Sequence, residues 1–245
     1  MDDTAADGNQ PASGIRGVVL DFGEVLCHKP APERLAQMAD ALGLSHATFM
    51  ARYSEERPPY DQGLLSPEDY WSRVAVDSIK VNPELLARLR HWDVEMWSDI
   101  NQEMVNWLDR LHQAGFKTAV LSNMHRDMTV YVRRNLAWLQ RVDCPILSSE
   151  LFLIKPDQAI YQRCLDCLKL RPSEVIFIDD REPNVAAARS LGIIGLQVES
   201  IERLQNDLAN LGLSVLPLAR SNGQAFPPPA DEDALDTGPS RRSRE

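Results

Sequence analysis

The sequence predicts an α/β fold, in which a doubly wound, Rossmann-like parallel sheet of about five strands carries an inserted α-helical cap domain. Short runs with apolar residues at nearly every position alternate with longer amphipathic stretches. This alternation is typical of βαβ units around a parallel sheet. Runs without polar alternation indicate strands that are covered on both faces. One connection between runs is much longer than the others, which indicates an insertion.

The predicted strands are the five apolar runs at residues 17–21, 117–121, 144–147, 175–179 and 193–198. Amphipathic segments at residues 126–140, 157–168 and 183–191 separate the last four runs and predict helices. Gly192 follows the third of these helices, in a position where helices commonly end. The spacing therefore predicts repeated crossovers between parallel strands.

The first connection departs from this rhythm. About 90 residues separate the first two strands, whereas a crossover needs about a dozen residues or slightly more. Within this connection, apolar residues recur on one helical face at Leu35, Met38 and Leu42. A polar residue followed by Pro is typical of a helix start, and the pairs Ser66-Pro67 and Asn82-Pro83 predict two further helices. A further helix around residues 104–111 ends at Gly115 before the second strand.

These boundaries divide the chain into four parts. Residues 15–27 and 99–220 are predicted to form the α/β core, and residues 28–98 the helical insertion. Residues 1–14 and 221–245 are rich in Pro, Gly, Ser and charge. Segments with so few large apolar groups cannot offset the entropy of ordering, so both are predicted to be disordered tails.

Composition excludes several kinds of partner. The 245 residues include 36 acidic residues against 26 Lys and Arg, for a formal net charge of -10. A nucleic-acid surface needs clustered basic residues, and a membrane span needs roughly 18 consecutive apolar residues. The sequence shows neither, so we expect no nucleic-acid and no membrane partner.

The cysteines predict a reducing compartment. The four cysteines, at positions 27, 144, 164 and 167, are too few and too scattered for a disulfide scaffold. The N-terminus has no basic and apolar leader pattern, so a cytoplasmic location is expected. Cys164 and Cys167 have CxxC spacing inside a predicted helix without a second ligand pair, which favours packing over metal or redox roles.

Polar residues follow the predicted strands where ligands bind in open parallel sheets, at the carboxyl ends. They are Asp21 after the first strand, Ser122 and Asn123 after the second, Lys155 beyond the third, and Asp179 and Asp180 after the fourth. Carboxylates that gather in this way need a cation, and Mg²⁺ prefers such oxygen ligands. Ser122, Lys155 and backbone amides of the first turn are expected to receive an anion.

Four segments in this order resemble the motifs of the haloacid dehalogenase-like (HAD) hydrolase superfamily. They are DFGEVL, LSN, IKPDQAIY and IDDREPN, and the similarity spans residues 16–198. The chain is similar to the subclass whose helical cap follows the first motif. KPDQAIY and DDREPNV particularly resemble small-molecule phosphatases of the family, including those that hydrolyse sugar phosphates.

The resemblance implies a nucleophile and a metal. Asp21 would attack phosphorus to form an aspartyl phosphate, which water then hydrolyses. Mg²⁺ would be held by the Asp21 carboxylate, the backbone carbonyl of Gly23 and Asp180, with Asp179 helping directly or through water.

The same resemblance implies an anion-binding set around the phosphoryl group. Ser122 and Asn123, with the backbone amides of Phe22 and Gly23, would hold the phosphoryl oxygens. Lys155 would neutralise charge on the nucleophile and on the phosphoryl group.

The chain departs from the family pattern at the first motif. Family phosphatases usually carry a second Asp two residues after the nucleophile, as general acid and base, and this chain has Gly23. Proton transfer supplies about 100-fold to 10,000-fold in rate. The departure predicts a preference for leaving groups that need little protonation, such as anomeric sugar phosphates or acyl phosphates. The adjacent Glu24 is an alternative donor, although a one-residue offset points its side chain elsewhere in a strand.

Two smaller departures concern loop shape and metal affinity. Phe152 stands where a Gly commonly precedes the third-motif Lys, and Asn184 stands where a second acidic residue often follows the fourth-motif Asp. His125, after the second motif, is interpreted as a structural or solvated residue more than as a substrate contact.

The insertion is expected to act as a lid whose loops select the substrate and exclude water. Its candidate substrate residues lie in RYSEERPPYDQG and are Arg52, Tyr53, Arg57 and Tyr60. The alternative interpretation of this segment is an ordinary polar loop.

The sequence therefore predicts a Mg²⁺-dependent phosphatase acting on a small phosphorylated metabolite, with a sugar phosphate favoured. One alternative is a noncatalytic protein that binds metal and phosphate and lost turnover with the general acid, which Gly23 favours. Another is a 2-haloacid dehalogenase in which Asp21 attacks carbon without a metal. The acidic pair Asp179 and Asp180 argues against it, because a metal-free site has little reason to collect those charges. The substrate and the oligomeric state stay open.

Overall fold

The computed structural model describes residues 14–76 and 80–213. One sheet contains five strands, β1 (Gly17–Leu20), β2 (Lys117–Ser122), β3 (Cys144–Leu147), β4 (Val175–Asp179) and β5 (Ile194–Gln197), in the order β3-β2-β1-β4-β5. All neighbouring pairs are parallel. The predicted α/β fold is therefore confirmed. The predicted tails, except Gly14, and the last part of the predicted core, residues 214–220, lie outside the described residues.

The strand order places the ends of three strands together. β1 is central and pairs with β2 on one side and β4 on the other, with Leu20 opposite both Val120 and Ile178. The chain first builds outward from β1 to β3 and then crosses back to β4. Parallel sheets bind ligands where the strand order reverses in this way, so the carboxyl ends of β1, β2 and β4 define the edge to inspect.

Eleven α-helices lie within the described residues. Five lie in the predicted insertion: α1 (Pro32–Ala41), α2 (His46–Glu55), α3 (Arg57–Asp61), α4 (Pro67–Ala75) and α5 (Pro83–Glu95). The others are α6 (Gln102–Gln113), α7 (Arg126–Asn135), α8 (Ser148–Leu151), α9 (Gln158–Leu168), α10 (Glu182–Ser190) and α11 (Ile201–Asn210). The Ser66 and Asn82 side chains accept hydrogen bonds from backbone amides of α4 and α5, so the predicted helix starts are confirmed. No helix in these two ranges is long and apolar enough to cross a membrane.

Apolar side chains cover both faces of the sheet. Val18 and Leu20 point into one buried cluster, with Trp107 and Leu108 of α6. Val19 packs on the other face, in a cluster to which α9 and α10 contribute. The helices of the insertion have a separate buried cluster that includes Phe49, Tyr70 and Trp71. The insertion therefore packs mainly on itself.

The structure corrects two predicted elements. The helix predicted for residues 126–140 ends at Asn135, because Leu136 leaves the helical conformation and a 3-10 helix (Ala137–Arg141) follows. Leu136 is 8% exposed, so leaving the helix seats it in the core. The segment for which a polar loop was the alternative forms helices α2 and α3 instead.

Two cysteines form a disulfide that the spacing of the cysteines did not predict. Cys144 on β3 and Cys167 on α9 are joined in a disulfide, because α9 packs against β3. Cys164, three residues earlier on α9, is a buried free thiol in the core, as predicted.

Candidate active site

Three carboxylates converge at the strand ends. Asp21 follows β1, Asp179 ends β4, and Asp180 comes next. One oxygen from each lies within 4.8 Å of the other two. Asp21 is 6% exposed and Asp179 is fully buried. Carboxylates at this spacing repel one another unless a cation lies between them, and a hard divalent cation prefers oxygen ligands. The donor set therefore fits a Mg²⁺ ion.

A single ammonium group compensates part of this charge. Lys155 Nζ lies 2.8 Å from Asp21 Oδ1 and 2.6 Å from Asp179 Oδ2. Burial raises the pKa of Asp21, Lys155 lowers it, and Asp179 and Asp180 raise it, and together these effects bring the pKa to about 7. Burial, Asp179 and Glu24 raise the pKa of Asp180 to about 6. The site thus carries more negative charge than Lys155 neutralises, which favours cation binding.

The two adjacent aspartates are held differently. Asp179 accepts hydrogen bonds from Lys155 Nζ, from the backbone amide of Arg181 at 2.8 Å, and from Asn184 Nδ2 at 2.9 and 3.0 Å. Asp180 lines an open cavity. Asp180 is therefore the better direct ligand, and Asp179 positions Lys155. An acidic residue in place of Asn184 would lose those donated hydrogen bonds and add a charge.

The second motif anchors the third. Asn123 Oδ1 accepts from the Lys155 backbone amide at 2.8 Å, and Asn123 Nδ2 donates to the Lys155 carbonyl at 2.9 Å. The Asn123 side chain therefore positions Lys155; Asn123 also lines the cavity, and its predicted contact with phosphate stays a prediction. Ser122 is buried and lines the cavity, as a phosphoryl-oxygen donor should.

The first-motif loop lines the cavity with Phe22, Gly23 and Glu24. The Phe22 amide donates to Asp21 Oδ1 at 2.7 Å and so orients the carboxylate. A Cβ built on Gly23 would lie 3.5 Å from the Trp97 ring, an ordinary contact, so space for a side chain is available. Glu24 has a left-handed φ of 53°, and its carboxylate lies 3.7 Å from Lys29 Nζ.

The cavity measures about 320 Å³ and lies between the strand ends and the insertion. Tyr53 and Arg57 line it, and their predicted role as substrate contacts stays a prediction. Arg52 and Tyr60 do not line it. Arg52 donates from Nη1 to the Arg73 carbonyl at 2.5 Å. Tyr60 is 1% exposed, because its ring stacks between those of Tyr70 and His125. The same stacking gives His125 the structural role expected of it.

Sequence reasoning missed two cavity residues of the insertion, Asp61 and Trp97. Arg57 Nε donates to Asp61 Oδ1 at 2.8 Å, and Arg57 Nη1 lies 2.9 and 3.0 Å from the two oxygens of Asp93. The i,i+4 spacing of Arg57 and Asp61 would have indicated this pair if residues 57–61 had been predicted as a helix.

The loop before Lys155 contains a strained backbone. Phe152 has φ 56° and ψ 29°, in the left-handed region, which costs a residue with a side chain about 1–2 kcal/mol. Its ring is 58% exposed and contributes little packing. This backbone conformation explains why Gly commonly occupies the position in the family, because Gly adopts a left-handed φ without strain.

We expect Phe152→Gly to raise the free energy of unfolding by about 0.5–1 kcal/mol, since relief of strain exceeds the entropy cost of glycine. Urea denaturation measures it. Phe152→Ala is the matched control, because it removes the ring and keeps the strained backbone, and it should give no gain. Equal gains in both variants would show that the ring, not the backbone, is unfavourable.

Comparison with known proteins gives a family match. A family model described as haloacid dehalogenase-like hydrolase matches residues 15–192. Bifunctional epoxide hydrolase 2 of Rattus norvegicus is 33% identical over 105 residues, covering 40% of this chain and 19% of that protein. (S)-2-haloacid dehalogenase 1 of Pseudomonas sp. (strain CBS-3) is 32% identical over 103 residues, covering 42% of this chain and 45% of that protein. The chain thus matches less than half the length of both relatives.

A solved structure has the same fold. It is the HAD family enzyme bt-2542 of Bacteroides thetaiotaomicron in complex with magnesium and inorganic phosphate. The TM-score is 0.60 at 20% sequence identity, covering 78% of this chain and 98% of the other.

Proposed function

The chain belongs to the haloacid dehalogenase-like hydrolase family, and from this membership we propose that it is a Mg²⁺-dependent phosphatase of small phosphomonoesters. The observation that carries the proposal is the convergence of Asp21, Asp179 and Asp180 on one edge of a cavity, with Lys155 as their only paired ammonium group within residues 14–76 and 80–213. A nucleophilic carboxylate, a cation site and an anion-binding ammonium are the groups that phosphoryl transfer requires.

The residues that would hold Mg²⁺ are Asp21 and Asp180, through carboxylate oxygens, and Gly23, through its backbone carbonyl. A bound Mg²⁺ screens the approach of the carboxylate to a phosphate dianion. Magnesium and inorganic phosphate in the bt-2542 complex support this assignment. The excess negative charge around Asp21 and Asp180 supports it independently.

The chain's own residues perform two displacements at phosphorus. Asp21 attacks the phosphorus atom, so that a carboxylate O–P bond forms while the ester P–O bond breaks and the leaving oxygen takes a proton. Water then attacks the same phosphorus, loses a proton, and releases inorganic phosphate and free Asp21. Lys155 holds Asp21 in place and offsets charge during transfer, and Ser122 donates to a phosphoryl oxygen.

The cavity favours a small polar substrate. Its volume is about 320 Å³, which suits a phosphorylated metabolite the size of a sugar phosphate. Arg57 is already paired with Asp61 and Asp93, so this side of the cavity offers hydrogen bonds with little free positive charge. That environment favours an uncharged, hydroxyl-rich leaving group. We propose such a metabolite, and no nucleic acid or membrane, as the protein's partner.

A second activity has support from one relative, the (S)-2-haloacid dehalogenase. In that reaction Asp21 would attack carbon and displace a halide. The close approach of Asp21, Asp179 and Asp180 argues for the phosphatase, because a metal-free site would leave their mutual repulsion only partly compensated. A noncatalytic protein that binds phosphate and metal is the third possibility, and it is favoured only by Gly23.

The test is the release of inorganic phosphate from a panel that includes glucose 1-phosphate and glucose 6-phosphate, with Mg²⁺ and with chelator. Release of chloride from 2-chloropropionate is measured in parallel. We expect phosphate release that depends on Mg²⁺ and no chloride release. Chloride release that is insensitive to chelator would establish the dehalogenase instead. Phosphate and Mg²⁺ binding without turnover would establish the noncatalytic protein.

A further inference from the structure

The site as described lacks a proton donor for the leaving group. Position 23, where family phosphatases carry a general acid, is a glycine, and Glu24 is engaged with Lys29. A different carboxyl group lines the same cavity as Asp21 and Lys155, namely that of Asp61 at the end of α3. Its side chain is 11% exposed.

Asp61 belongs to a buried cluster with an uneven charge count. Arg57 is one guanidinium shared by two carboxylates, Asp61 and Asp93. The neighbouring His125 is completely buried, and burial lowers its pKa to about 4, so it adds no positive charge near neutral pH. Two buried carboxylates with one cation favour a state in which one of them holds a proton.

The hydrogen bonds decide which carboxylate holds that proton. Asp93 is fully buried and accepts from Arg57 Nη1 through both oxygens and from the Tyr53 hydroxyl at 2.8 Å. These donors stabilise its ionised form, and the pKa of Asp93 is lowered despite burial. Asp61 accepts from Arg57 Nε alone among the described residues, through Oδ1. Of the two carboxylates, Asp61 is therefore the one that takes up a proton as the pH falls toward 6.

The backbone holds Asp61 in place between the insertion and the core. Its carbonyl accepts a hydrogen bond from the Ser148 hydroxyl at 2.5 Å, and Ser148 begins α8 just beyond β3. Arg57, one turn earlier, fixes the carboxyl from within α3. The Asp61 carboxyl group, which is protonated below about pH 6, is thus held at the wall of the cavity that Asp21 and Lys155 also line.

We propose that Asp61 is the general acid and base of the reaction, in place of the residue that Gly23 lacks. This inference rests on the proposed phosphatase function. As the ester P–O bond breaks, the Asp61 carboxyl proton passes to the leaving oxygen, which departs as a neutral alcohol. The Asp61 carboxylate then takes a proton from the water that attacks the aspartyl phosphate, and its carboxyl group is restored with the release of phosphate.

Several groups face Asp61 and set its titration. Burial raises the pKa of Asp61 to about 6, Asp93 raises it as well, and Arg57 and Arg181 lower it. Tyr53 of α2 and Tyr70 of α4 also face the cluster, and burial raises their pKa values well above the ordinary range, so both remain neutral. A group that titrates near neutral pH suits proton transfer in both directions.

The test compares two substrates in Asp61→Asn. The values of kcat/KM report the phosphorylation step, which needs a proton for the alcohol of glucose 6-phosphate and not for the nitrophenolate of 4-nitrophenyl phosphate. We expect kcat/KM to fall about 100-fold or more for glucose 6-phosphate and less than about threefold for 4-nitrophenyl phosphate. In the wild type, kcat/KM for glucose 6-phosphate relative to 4-nitrophenyl phosphate should decline above about pH 6, the range in which Asp61 ionises. That decline should disappear in the variant.

Two further variants separate proton transfer from positioning. Asp93→Asn keeps the cavity carboxyl but removes the second carboxylate that shares Arg57, so Asp61 should ionise at lower pH and the decline of the kcat/KM ratio should shift to lower pH. Gly23→Asp in the Asp61→Asn background returns a carboxyl to the first motif, where a Cβ has room, and should restore glucose 6-phosphate hydrolysis selectively. Equal losses on both substrates in Asp61→Asn, with no selective rescue, would overturn the inference and leave the proposed phosphatase intact. A wild type that releases no phosphate from either ester would overturn both.

Discussion

Asp21→Asn is expected to lower Mg²⁺-dependent phosphate release by at least about 10⁴-fold, because a carboxamide cannot attack phosphorus and nothing else in the site replaces the nucleophile. The change removes a charge and conserves shape, so the hydrogen bond between Lys155 and Asp179 is retained. The measurement is phosphate release by enzyme at high concentration over hours. Residual activity within 100-fold of the wild type would show that another group attacks phosphorus.

The same variant should keep its stability. Burial raises the pKa of Asp21 from 3.8 to about 7. Between these values the folded protein holds a proton that the unfolded chain has released, so the stability from this group falls as the pH rises through that window. Removing the charge abolishes this penalty. In chelator at pH 7.5, urea denaturation should give Asp21→Asn a free energy of unfolding equal to or above that of the wild type. A large loss of stability would attribute the lost activity to misfolding.

Lys155→Met is expected to have the second largest effect, and it should affect activity and stability together. The side chain of Lys155 is 1% exposed and is the shared cation of Asp21 and Asp179. Its loss leaves two buried carboxylates unpaired, which costs about 3–5 kcal/mol at neutral pH. It also removes charge stabilisation from phosphoryl transfer, which costs about 100-fold to 1,000-fold in kcat. Urea denaturation and steady-state kinetics measure the two effects.

Lys117→Met is the matched control for that variant. Lys117 Nζ lies 2.8 Å from Asp143, the same distance as between Lys155 and Asp21, but the Lys117 side chain is 56% exposed. An ion pair at the surface contributes less than about 1 kcal/mol. Equal losses in the free energy of unfolding for the two variants would show that burial does not make the Lys155 ion pairs more stabilising than a surface ion pair. That result would contradict the expected effect of Lys155→Met.

Much of the site follows from the sequence because parallel strands bring their ends to one edge. Asp21, Ser122 and Asp179 each sit directly at the end of an apolar run, and one topological rule places them together. The strand-end rule does not predict the different roles of Asp179 and Asp180. The two residues are adjacent at the end of β4, and the hydrogen bonds that Asp179 accepts from Lys155, Arg181 and Asn184 distinguish the positioning residue from the ligand.

The insertion was harder to predict, since its contacts are not local. Residues 52–61 contain two prolines and several charges, a composition typical of a loop. The segment is helical because the Tyr60 ring is buried between those of Tyr70 and His125. Both of these residues lie further along the chain, outside the segment. Once α3 is formed, Asp61 turns toward the cavity and Arg52 remains outside it. The disulfide between Cys144 and Cys167 depends in the same way on the packing of α9 against β3.

The most direct test of the account is detection of the phosphorylated nucleophile. Enzyme with Mg²⁺ is mixed with glucose 6-phosphate radiolabelled at phosphorus and quenched in acid within milliseconds, and the label is mapped by mass spectrometry. We expect a label on Asp21 that hydroxylamine removes, as it does from acyl phosphates, and that is absent with chelator and in Asp21→Asn. Rapid phosphate release by the wild type without any protein-bound label, or a label on another residue, would contradict covalent catalysis by Asp21.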